Sequence, residues 1–252
     1  MPIALLTDFG TRDPYVAAMK GVLVARTSVP VLDLTHDIAP FDVLEAAWFL
    51  RCVAAYWPPG TIFVCVVDPG VGTSRKIVAV EREGKIFLAP DNGLLTFVLA
   101  DDEPGVAKQH EVAKESLFLP SGSTTFHGRD RFAPVAAALA NGARLADLGP
   151  PLETLVKLPY APPVYGEVVV GTIVNIDRFG NAITDVEASR IPFAPFALYT
   201  GDVVLDRLER TYTGEGAFLI VGSTGCIEIS IAGGSAAERL HLRRLQPVEL
   251  RP

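Results

Sequence analysis

The chain has 252 residues, of which 49% are hydrophobic and 20% are charged, and its net charge is −7. This length allows one large domain or two ordinary ones, and the composition excludes a disordered chain. The acidic balance makes general binding of nucleic acid unfavourable and favours small or cationic ligands.

The cysteines and the N-terminus indicate the compartment. Cys52, Cys65 and Cys226 are odd in number and widely separated, which is typical of buried thiols in a reducing compartment rather than of a disulfide framework or a metal site. The N-terminus has no basic region before its short apolar run, so it predicts a first strand and not a signal peptide. No apolar stretch approaches the ~20 residues that a membrane span needs. We therefore expect a cytoplasmic protein without membrane contact.

Strand and helix patterns alternate in the first part of the chain. The spacing of Val16, Met19 and Leu23 is that of an amphipathic helix, and Asp42 with Glu45 three residues later is typical of a helix start. The second helix is apolar nearly all round, so we expect it to pack on two sides. The alternation predicts an α/β domain with a largely parallel sheet. The predicted strands lie at 3–7, 31–34 and 61–67, and the predicted helices at 15–26 and 42–56.

Three further elements follow in this domain. A hairpin is predicted at 77–89, with its turn at 82–85, because two apolar runs flank a glycine-containing polar segment. The turn 90–93 predicts a short helix over 94–100. A third helix is predicted over 130–140, with Pro134 in its first turn and Asn141-Gly142 at its end.

The pattern becomes β-rich after the prolines at 150–163. Short strands at this spacing are typical of a small β-barrel. We therefore predict two domains, an N-terminal α/β domain over 1–160 and a C-terminal β-barrel over 161–252. The predicted barrel strands lie at 168–176, 182–185, 202–205, 217–221, 226–231 and the C-terminus.

Acidic residues follow the predicted parallel strands. Asp8, the turn 35–37 and Asp68 all stand at carboxyl ends of strands, where α/β proteins bind their ligands. The segment after Asp68 is a proline- and glycine-rich loop that leads to Arg75, and His127 precedes the third helix. Each of these features alone is also compatible with an ordinary turn or a solvated loop. Their convergence on one sheet edge favours a site.

Two segments of the second domain have both a structural and a functional interpretation. The segment 175–181 is either a hairpin turn or a seat for a purine, with Phe179 stacking on the base and Asn181 contacting its edge. The segment 222–225 is either a hairpin loop or a backbone cradle for a carboxylate.

Several familiar chemistries lack their motifs here. The chain contains no phosphate-binding P-loop, no dinucleotide-binding glycine motif and no nucleophile elbow. Its four histidines are scattered, without the spacing of a zinc site. An arginine beside the acidic residues favours an ion pair over a magnesium site, so no metal is predicted.

Six segments, in order along nearly the whole chain, make the sequence resemble one family. That family is the S-adenosylmethionine hydroxide adenosyltransferases, or adenosine-forming S-adenosylmethionine hydrolases, which are related to fluorinating and chlorinating enzymes. The matching segments are Leu6-Thr7-Asp8-Phe9-Gly10, Thr35-His36-Asp37-Ile38, Val67-Asp68-Pro69-Gly70-Val71-Gly72, Pro90-Asp91-Asn92-Gly93-Leu94-Leu95-Thr96, Phe126-His127-Gly128-Arg129-Asp130 and Asp177-Arg178-Phe179-Gly180-Asn181.

The resemblance implies a homotrimer with active sites between the N-terminal domain of one subunit and the C-terminal domain of its neighbour. It implies S-adenosylmethionine as substrate, adenosine and L-methionine as products, and no cofactor. The family's catalytic trio falls on Asp68, Arg75 and His127, and the halogenating relatives lack it. The positions that match substrate contacts are Asp8 at the ribose hydroxyls, Asp13 near the methionine end, Phe41, Asp177, Phe179, Asn181, Tyr212 and Ser223.

The sequence departs from the family pattern at two positions. Gly222 and Ala232 stand where the resemblance leads us to expect asparagine, which affects the contacts at that end of the barrel.

Our hypothesis for the mechanism is an in-line attack of water on the 5′ carbon of the ribose, which releases methionine and leaves adenosine. Asp68 and His127 would orient and deprotonate that water, and Arg75 would stabilise the nascent hydroxide. The alternatives are a halogenase, a sensor that only binds S-adenosylmethionine or adenosine, and a metal-dependent hydrolase.

Overall fold

The structure is a computed structural model that describes residues 1–100, 107–120 and 123–252. The chain divides into two units, Met1–Pro159 and Tyr160–Pro252. Within the described residues, no helix has both the length and the apolar character that crossing a membrane requires.

The first unit is built on a six-stranded sheet. Its strands are β1 (Ile3–Thr7), β2 (Val31–Thr35), β3 (Ile62–Val66), β4 (Ile77–Arg82), β5 (Lys85–Pro90) and β6 (Lys108–Glu111). They lie in the order β2-β1-β3-β5-β4-β6. Strands β2, β1, β3 and β5 are parallel to one another, whereas β4 runs antiparallel to both of its neighbours, β5 and β6. The predicted α/β fold with a largely parallel sheet is confirmed.

Helices cover both faces of this sheet. They are α1 (Tyr15–Val24), α2 (Val43–Ala54) and α3 (Ala133–Ala140). Because side chains alternate along a strand, Ile3 and Leu5 of β1 pack in the core that contains α1 and α3. Ala4 and Leu6 pack on the opposite face, in the core that contains α2. A strand that is buried on both faces is largely apolar, and in β1 the one polar residue, Thr7, has a hydrogen-bond partner in His36.

The second helix begins and packs as its sequence predicts. The Asp42 carboxylate accepts a hydrogen bond of 2.9 Å from the backbone N–H of Glu45, which satisfies one of the free donors at the helix start. Ala46 and Leu50 face the sheet, and Trp48, on another side of the helix, packs edge-on against Phe97 at 5.7 Å between ring centroids. The helix therefore packs on two sides.

The predicted hairpin is present, and its turn explains the glycine. Glu83 and Gly84 both have positive φ, of 50° and 70°, between the paired ends of β4 and β5. Two central residues of positive φ define the tight turn that matches the twist of a two-stranded ribbon.

The predicted helix over 94–100 is wrong, because this segment forms consecutive turns instead. Most of its backbone bonds span three residues, such as Thr96 N–H to the Gly93 carbonyl at 3.0 Å. Side-chain bonds tie the segment to other loops: the Asn92 amide donates to the Val67 carbonyl at 2.9 Å, and the Thr96 hydroxyl accepts from Leu158 N–H at 2.9 Å. The Asn92 side chain also accepts from the backbone N–H of Leu94 at 3.2 Å, a local bond that favours a turn over a regular helix start.

The predicted helix over 130–140 is present but starts earlier. A π-helical turn, Gly128–Phe132, precedes α3 and continues into it. Pro134 lies in the first turn of α3, and the helix ends at Asn141, followed by Gly142 with φ of 97°. The two C-terminal residues behave as expected for a helix end.

The second unit is a single eight-stranded sheet that curls into a half-barrel. The strand order is β10-β9-β14-β7-β8-β13-β12-β11, and a short helix, α4 (Ala236–Arg239), lies between β13 and β14. The strands β9 and β11 are additions to those that the sequence predicts. The strands are β7 (Val169–Ile176), β8 (Ala182–Glu187), β9 (Ala197–Thr200), β10 (Val203–Leu205), β11 (Leu208–Glu209), β12 (Ala217–Val221), β13 (Cys226–Ile231) and β14 (Pro247–Arg251).

Candidate active site

The carboxyl ends of β1 and β3 open into a cavity of about 420 Å³. Asp8 follows β1 directly, Asp68 follows β3 after one further residue, and both line the cavity. Asp13, Phe41 and His127 line it as well. The parallel sheet therefore brings together two of the three acidic strand ends that the sequence places on one edge.

Asp8 is held by the loop after β2. Its carboxylate accepts a hydrogen bond of 2.9 Å from the backbone N–H of Phe41. Burial raises the pKa of Asp8, the bond from Phe41 opposes that shift, and the nearby charge of Asp68 adds to it. Phe41 has φ of 68° and is 71% exposed, so its ring projects freely where it lines the cavity.

The turn 35–37 stabilises the strand ends instead of lining the cavity. His36 is buried, with Nδ1 2.8 Å from the Thr7 hydroxyl and Nε2 3.0 Å from an oxygen of Asp33. Asp37 is exposed, and its backbone N–H donates to the Thr35 hydroxyl at 3.1 Å. The local-turn interpretation of this segment agrees with these contacts.

Asp68, Arg75 and His127 contact one another. Arg75 donates from Nε to one oxygen of Asp68 at 2.8 Å and from Nη2 to the other oxygen. The same Nη2 lies 2.9 Å from His127 Nδ1. The side chains of Arg75 and Asp68 are only 9% and 5% exposed, so this ion pair is shielded from bulk water.

The glycine-rich loop after Asp68 places Arg75. The Thr73 hydroxyl donates to the Gly70 carbonyl at 2.7 Å and accepts from the backbone N–H of Arg75 at 3.3 Å. Gly72 has φ of 79°, and a Cβ there would lie 2.8 Å from the Thr124 carbonyl oxygen. The loop passes so close to residue 124 that only glycine fits at position 72.

The contact with Arg75 fixes the tautomer of His127. A guanidinium has only donors, so Nδ1 of His127 must be the acceptor and the proton of the neutral ring must lie on Nε2. Nε2 is buried, and no hydrogen-bond partner for it exists in the described part of the chain. Burial, followed by the charges of Arg131 and Arg75, lowers the pKa of His127 to about 4. At neutral pH the ring is therefore a buried N–H donor in the cavity wall.

Three aromatic rings that were not among the predicted site residues form an apolar wall of this cavity. Phe126 packs edge-on against Phe9 and Tyr15, at 6.0 and 5.2 Å between ring centroids. Gly128 makes the packing possible, because a Cβ there would lie 3.2 Å from Phe126 and 3.3 Å from Phe9. The feature of the sequence that could have indicated this aromatic wall is the position of Phe126 directly before the predicted site residue His127.

A second cavity, of about 650 Å³, lies in the half-barrel unit. The turn after β7 shapes it: one oxygen of Asp177 accepts from the backbone N–H groups of Phe179 and Asn181, both at 2.9 Å, and the other accepts from the Asn181 amide at 2.9 Å. The ring of Phe179 is left 78% exposed at the cavity, and Tyr212 is 50% exposed there. Ser223 also lines the cavity.

The structure explains one departure from the family pattern. A Cβ at Gly222 would lie 1.6 Å from Oε1 of Glu228, so the Glu228 carboxyl fills the space of a side chain at position 222. Glu228 itself lines the second cavity and was not among the predicted site residues. Its signal in the sequence is the one charged residue of a largely apolar strand, Cys226–Ile231.

Among the side chains that the structure describes, no group of three histidine, cysteine, aspartate or glutamate residues is arranged to hold a metal ion.

Comparison with known proteins identifies the family. Residues 3–149 match the model of the SAM hydroxide adenosyltransferase N-terminal domain, and residues 171–249 match that of the C-terminal domain. The chain is 42% identical to an (R)-S-adenosyl-L-methionine hydrolase from Thermus thermophilus over 99% of both chains. The chain belongs to the SAM hydroxide adenosyltransferase family, and the resemblance seen in the sequence is confirmed.

Two further similarities extend this result. A solved structure of a conserved protein from Thermotoga maritima superimposes with a TM-score of 0.89 and 33% identity, covering 99% of this chain and all of that one. A fluorinase from Actinoplanes sp. is 31% identical over 79% of this chain and 76% of its own length.

Proposed function

We propose that this protein is an (R)-S-adenosyl-L-methionine hydrolase that releases adenosine and L-methionine. The full-length similarity to the Thermus hydrolase supports the activity and the (R) configuration at the sulfonium. The observation that carries the proposal is the buried trio of Asp68, Arg75 and His127, with His127 Nε2 unpaired among the described residues at a cavity of nucleoside size.

The reaction is an in-line displacement. The oxygen of one water molecule forms a bond to the ribose 5′ carbon while the bond from that carbon to sulfur breaks. The electron pair of the broken bond goes to sulfur, which becomes the neutral thioether of methionine, and one proton of the water is released. The sulfonium is a good leaving group without protonation, so the difficult step is the activation of water.

Hydrogen-bond geometry assigns different tasks to Asp68 and His127. The neutral His127 ring offers an N–H from Nε2, so it orients the attacking oxygen as a donor instead of taking its proton. Each Asp68 oxygen accepts from Arg75 and still has a lone pair, so Asp68 is the base in this mechanism. Arg75 stabilises the negative charge that develops on the oxygen. Proton abstraction by a positioned base contributes typically ~10²–10⁴-fold to rate.

The substrate contacts in this proposal follow the family match. Asp8 holds the ribose hydroxyls, and Asp13 and Phe41 lie at the methionine end and the rim of the first cavity. In the second cavity Phe179 and Tyr212 stack on the adenine. The other contacts there are Asp177, Asn181 and Ser223.

We further propose that the substrate lies between subunits of a homotrimer. Its recognition groups are divided between the two units, each of which has its own open cavity. A neighbouring subunit would supply the second cavity to the first, as the family resemblance implies.

The test is product analysis with both sulfonium epimers in ¹⁸O-labelled water. Wild-type protein is expected to give adenosine labelled at the 5′-hydroxyl from the (R) epimer. Asp68→Asn should lower this rate by ~10²–10⁴-fold, whereas Asp37→Asn, an exposed control at another strand end, should retain it. Unlabelled adenosine, or equal rates for the two variants, would contradict the proposal.

Halide transfer is the second candidate, because a fluorinase is among the similar proteins. The trio favours water, since it supplies a base that a halide does not need. Chloride, bromide or fluoride in the assay should give no 5′-halogenated adenosine.

A further inference from the structure

Glu228 is a buried acid in the wall of the second cavity. It lies in β13, is 4% exposed, and lines the cavity beside Tyr212. The Tyr212 hydroxyl donates to its Oε2 at 3.0 Å, and among the described residues no other donor reaches the carboxyl. Burial raises the pKa of Glu228, the bond from Tyr212 opposes that shift, and the charge of Asp177 adds to it. Burial of a carboxyl is unfavourable unless hydrogen bonds or an opposite charge compensate for its lost hydration.

The space for this carboxyl is created by Gly222. A Cβ at that position would lie 1.6 Å from Oε1 and 2.2 Å from Cδ of Glu228. The backbone of Gly222 closes the turn between β12 and β13, with its N–H donating to the Cys226 carbonyl at 2.9 Å. Its φ lies outside the left-handed region, so glycine is required here by the carboxyl and not by the turn.

Asp177, another carboxylate that lines the cavity, uses its oxygens to accept hydrogen bonds from its own loop. Asp177 accepts three hydrogen bonds from Phe179 and Asn181, so it serves to shape the turn. Glu228 accepts one bond from the protein and retains acceptor capacity toward the cavity. The exposed rings of Phe179 and Tyr212 flank the same space.

We propose that Glu228 is a specificity-determining residue that accepts a hydrogen bond from an amino group of the substrate. This inference rests on the proposed function, because the substrate carries two such groups, the 6-amino group of adenine and the α-ammonium of methionine. Both present N–H donors, whereas a ligand with an oxygen acceptor at that place would leave the carboxyl with Tyr212 as its one donor among the described residues. A site that accepts a hydrogen bond from one substrate group binds analogues without that group weakly, because its buried acceptor then loses a partner.

The first experiment measures the affinities of Glu228→Gln for adenosine, inosine and L-methionine by calorimetry on the whole protein. Glutamine keeps the size of the side chain and an oxygen for Tyr212, but it presents an amide donor to the cavity. Adenosine affinity falls roughly tenfold to a hundredfold if the base is read, and L-methionine affinity falls by this amount if the ammonium is read. Inosine lacks the 6-amino group, so its affinity should not fall.

The matched control is Glu238→Gln, an exposed glutamate of the same unit that lies outside the cavity. Its affinities should equal those of the wild type. If Glu228→Gln also stays within twofold of wild type for both adenosine and L-methionine, the inference is overturned. It is equally overturned if wild-type protein binds neither compound.

A second experiment displaces the carboxyl without changing its chemistry. Gly222→Ala should lower affinity for the same ligand as Glu228→Gln, because the new methyl group expels the carboxyl from its place. In a Glu228→Ala background the same Gly222→Ala change should have no further effect, since the clash is gone. Additive losses in the double variant would overturn the inference.

Turnover separates this inference from the proposed function. If wild-type protein forms no adenosine from S-adenosylmethionine but the binding pattern holds, the proposed activity fails and the role of Glu228 stands. If turnover is present and the binding pattern is absent, the proposed activity stands and the role of Glu228 is overturned.

Discussion

Arg75 connects Asp68 and His127, the two groups that the proposed mechanism places beside the attacking water. One guanidinium reaches both oxygens of Asp68 and Nδ1 of His127, a geometry that its planar fork allows and a lysine ammonium does not. It thereby also sets the imidazole tautomer. In the proposed mechanism, the chemistry of the trio therefore depends on the guanidinium as much as on the acid.

The donor role of His127 is testable by comparing two substitutions. Gln places an amide N–H near the position of Nε2, so His127→Gln should retain at least about tenfold more activity than His127→Ala. A base role would make the two variants equally inactive. Initial rates of adenosine formation decide between these outcomes, and His241→Gln, at an exposed position, is the control for the substitution itself.

The lowered pKa of His127 has a consequence for stability. The ring has a pKa of about 4 in the folded protein and an ordinary value of 6.5 when unfolded. Between these values the unfolded chain binds a proton that the folded chain does not, so this residue's contribution to the free energy of unfolding falls as pH drops from 6.5 to 4. His127→Gln should remove that fall, which denaturant titrations at several pH values would detect. A parallel pH dependence in both proteins would contradict it.

At the level of elements, the trio is assembled by a loop and a helix start. The loop from Asp68 to Arg75 returns a guanidinium to the carboxylate seven residues before it, and the π-helical turn at Gly128 brings His127 to the same place. The sheet positions Asp68 and the loop positions its partner. Catalysis should therefore be sensitive to loop residues that never contact substrate.

Gly72→Ala tests this sensitivity against Gly142→Ala. Both glycines have positive φ, of 79° and 97°, so both substitutions carry a strain of roughly 1–2 kcal/mol. Only the Cβ at position 72 clashes, at 2.8 Å from the Thr124 carbonyl oxygen, whereas nothing lies near a Cβ at 142. Gly72→Ala should lower activity up to ~10²-fold by displacing Arg75, and Gly142→Ala should leave it unchanged. Equal activities would contradict the role of the loop.

At the scale of the whole molecule, the proposed recognition groups belong to two units of the chain. The acids and the trio belong to Met1–Pro159, and the exposed aromatic residues Phe179 and Tyr212 belong to Tyr160–Pro252. In the proposed trimer, the first cavity of one subunit and the second cavity of its neighbour would together form each active site.

Mixed oligomers of two inactive variants test shared sites. Subunits with Asp68→Asn and subunits with Asn181→Ala each lack one half of the site. If sites form between neighbours, random co-assembly restores intact sites to about a quarter of the positions in a cyclic trimer. If each site is made by one chain, co-assembly restores nothing. Adenosine formation before and after co-refolding is the measurement.

The amino-acid order by itself determined the class of fold. Apolar runs and helical spacing define β1, α1, α2 and β3 because these elements bury regular faces, and the polar ends of the strands indicate the sheet edge that carries Asp8 and Asp68. The sequence also predicted the glycine-rich loop and the segment around His127 as parts of the site, because the loop follows Asp68 and His127 precedes a predicted helix. The cytoplasmic location stays a prediction.

Tertiary structure alone decided the contacts that depend on distant segments. The segment 94–100 forms turns and not a helix, and the side chains of Asn92 and Thr96 bond to residues 67 and 158. The tautomer of His127 follows from an arginine 52 residues away. The requirement for glycine at position 222 follows from the Glu228 carboxyl on the next strand, which fills the space of a side chain there. Local sequence encodes which faces are buried, but it does not encode which polar group meets which across the fold.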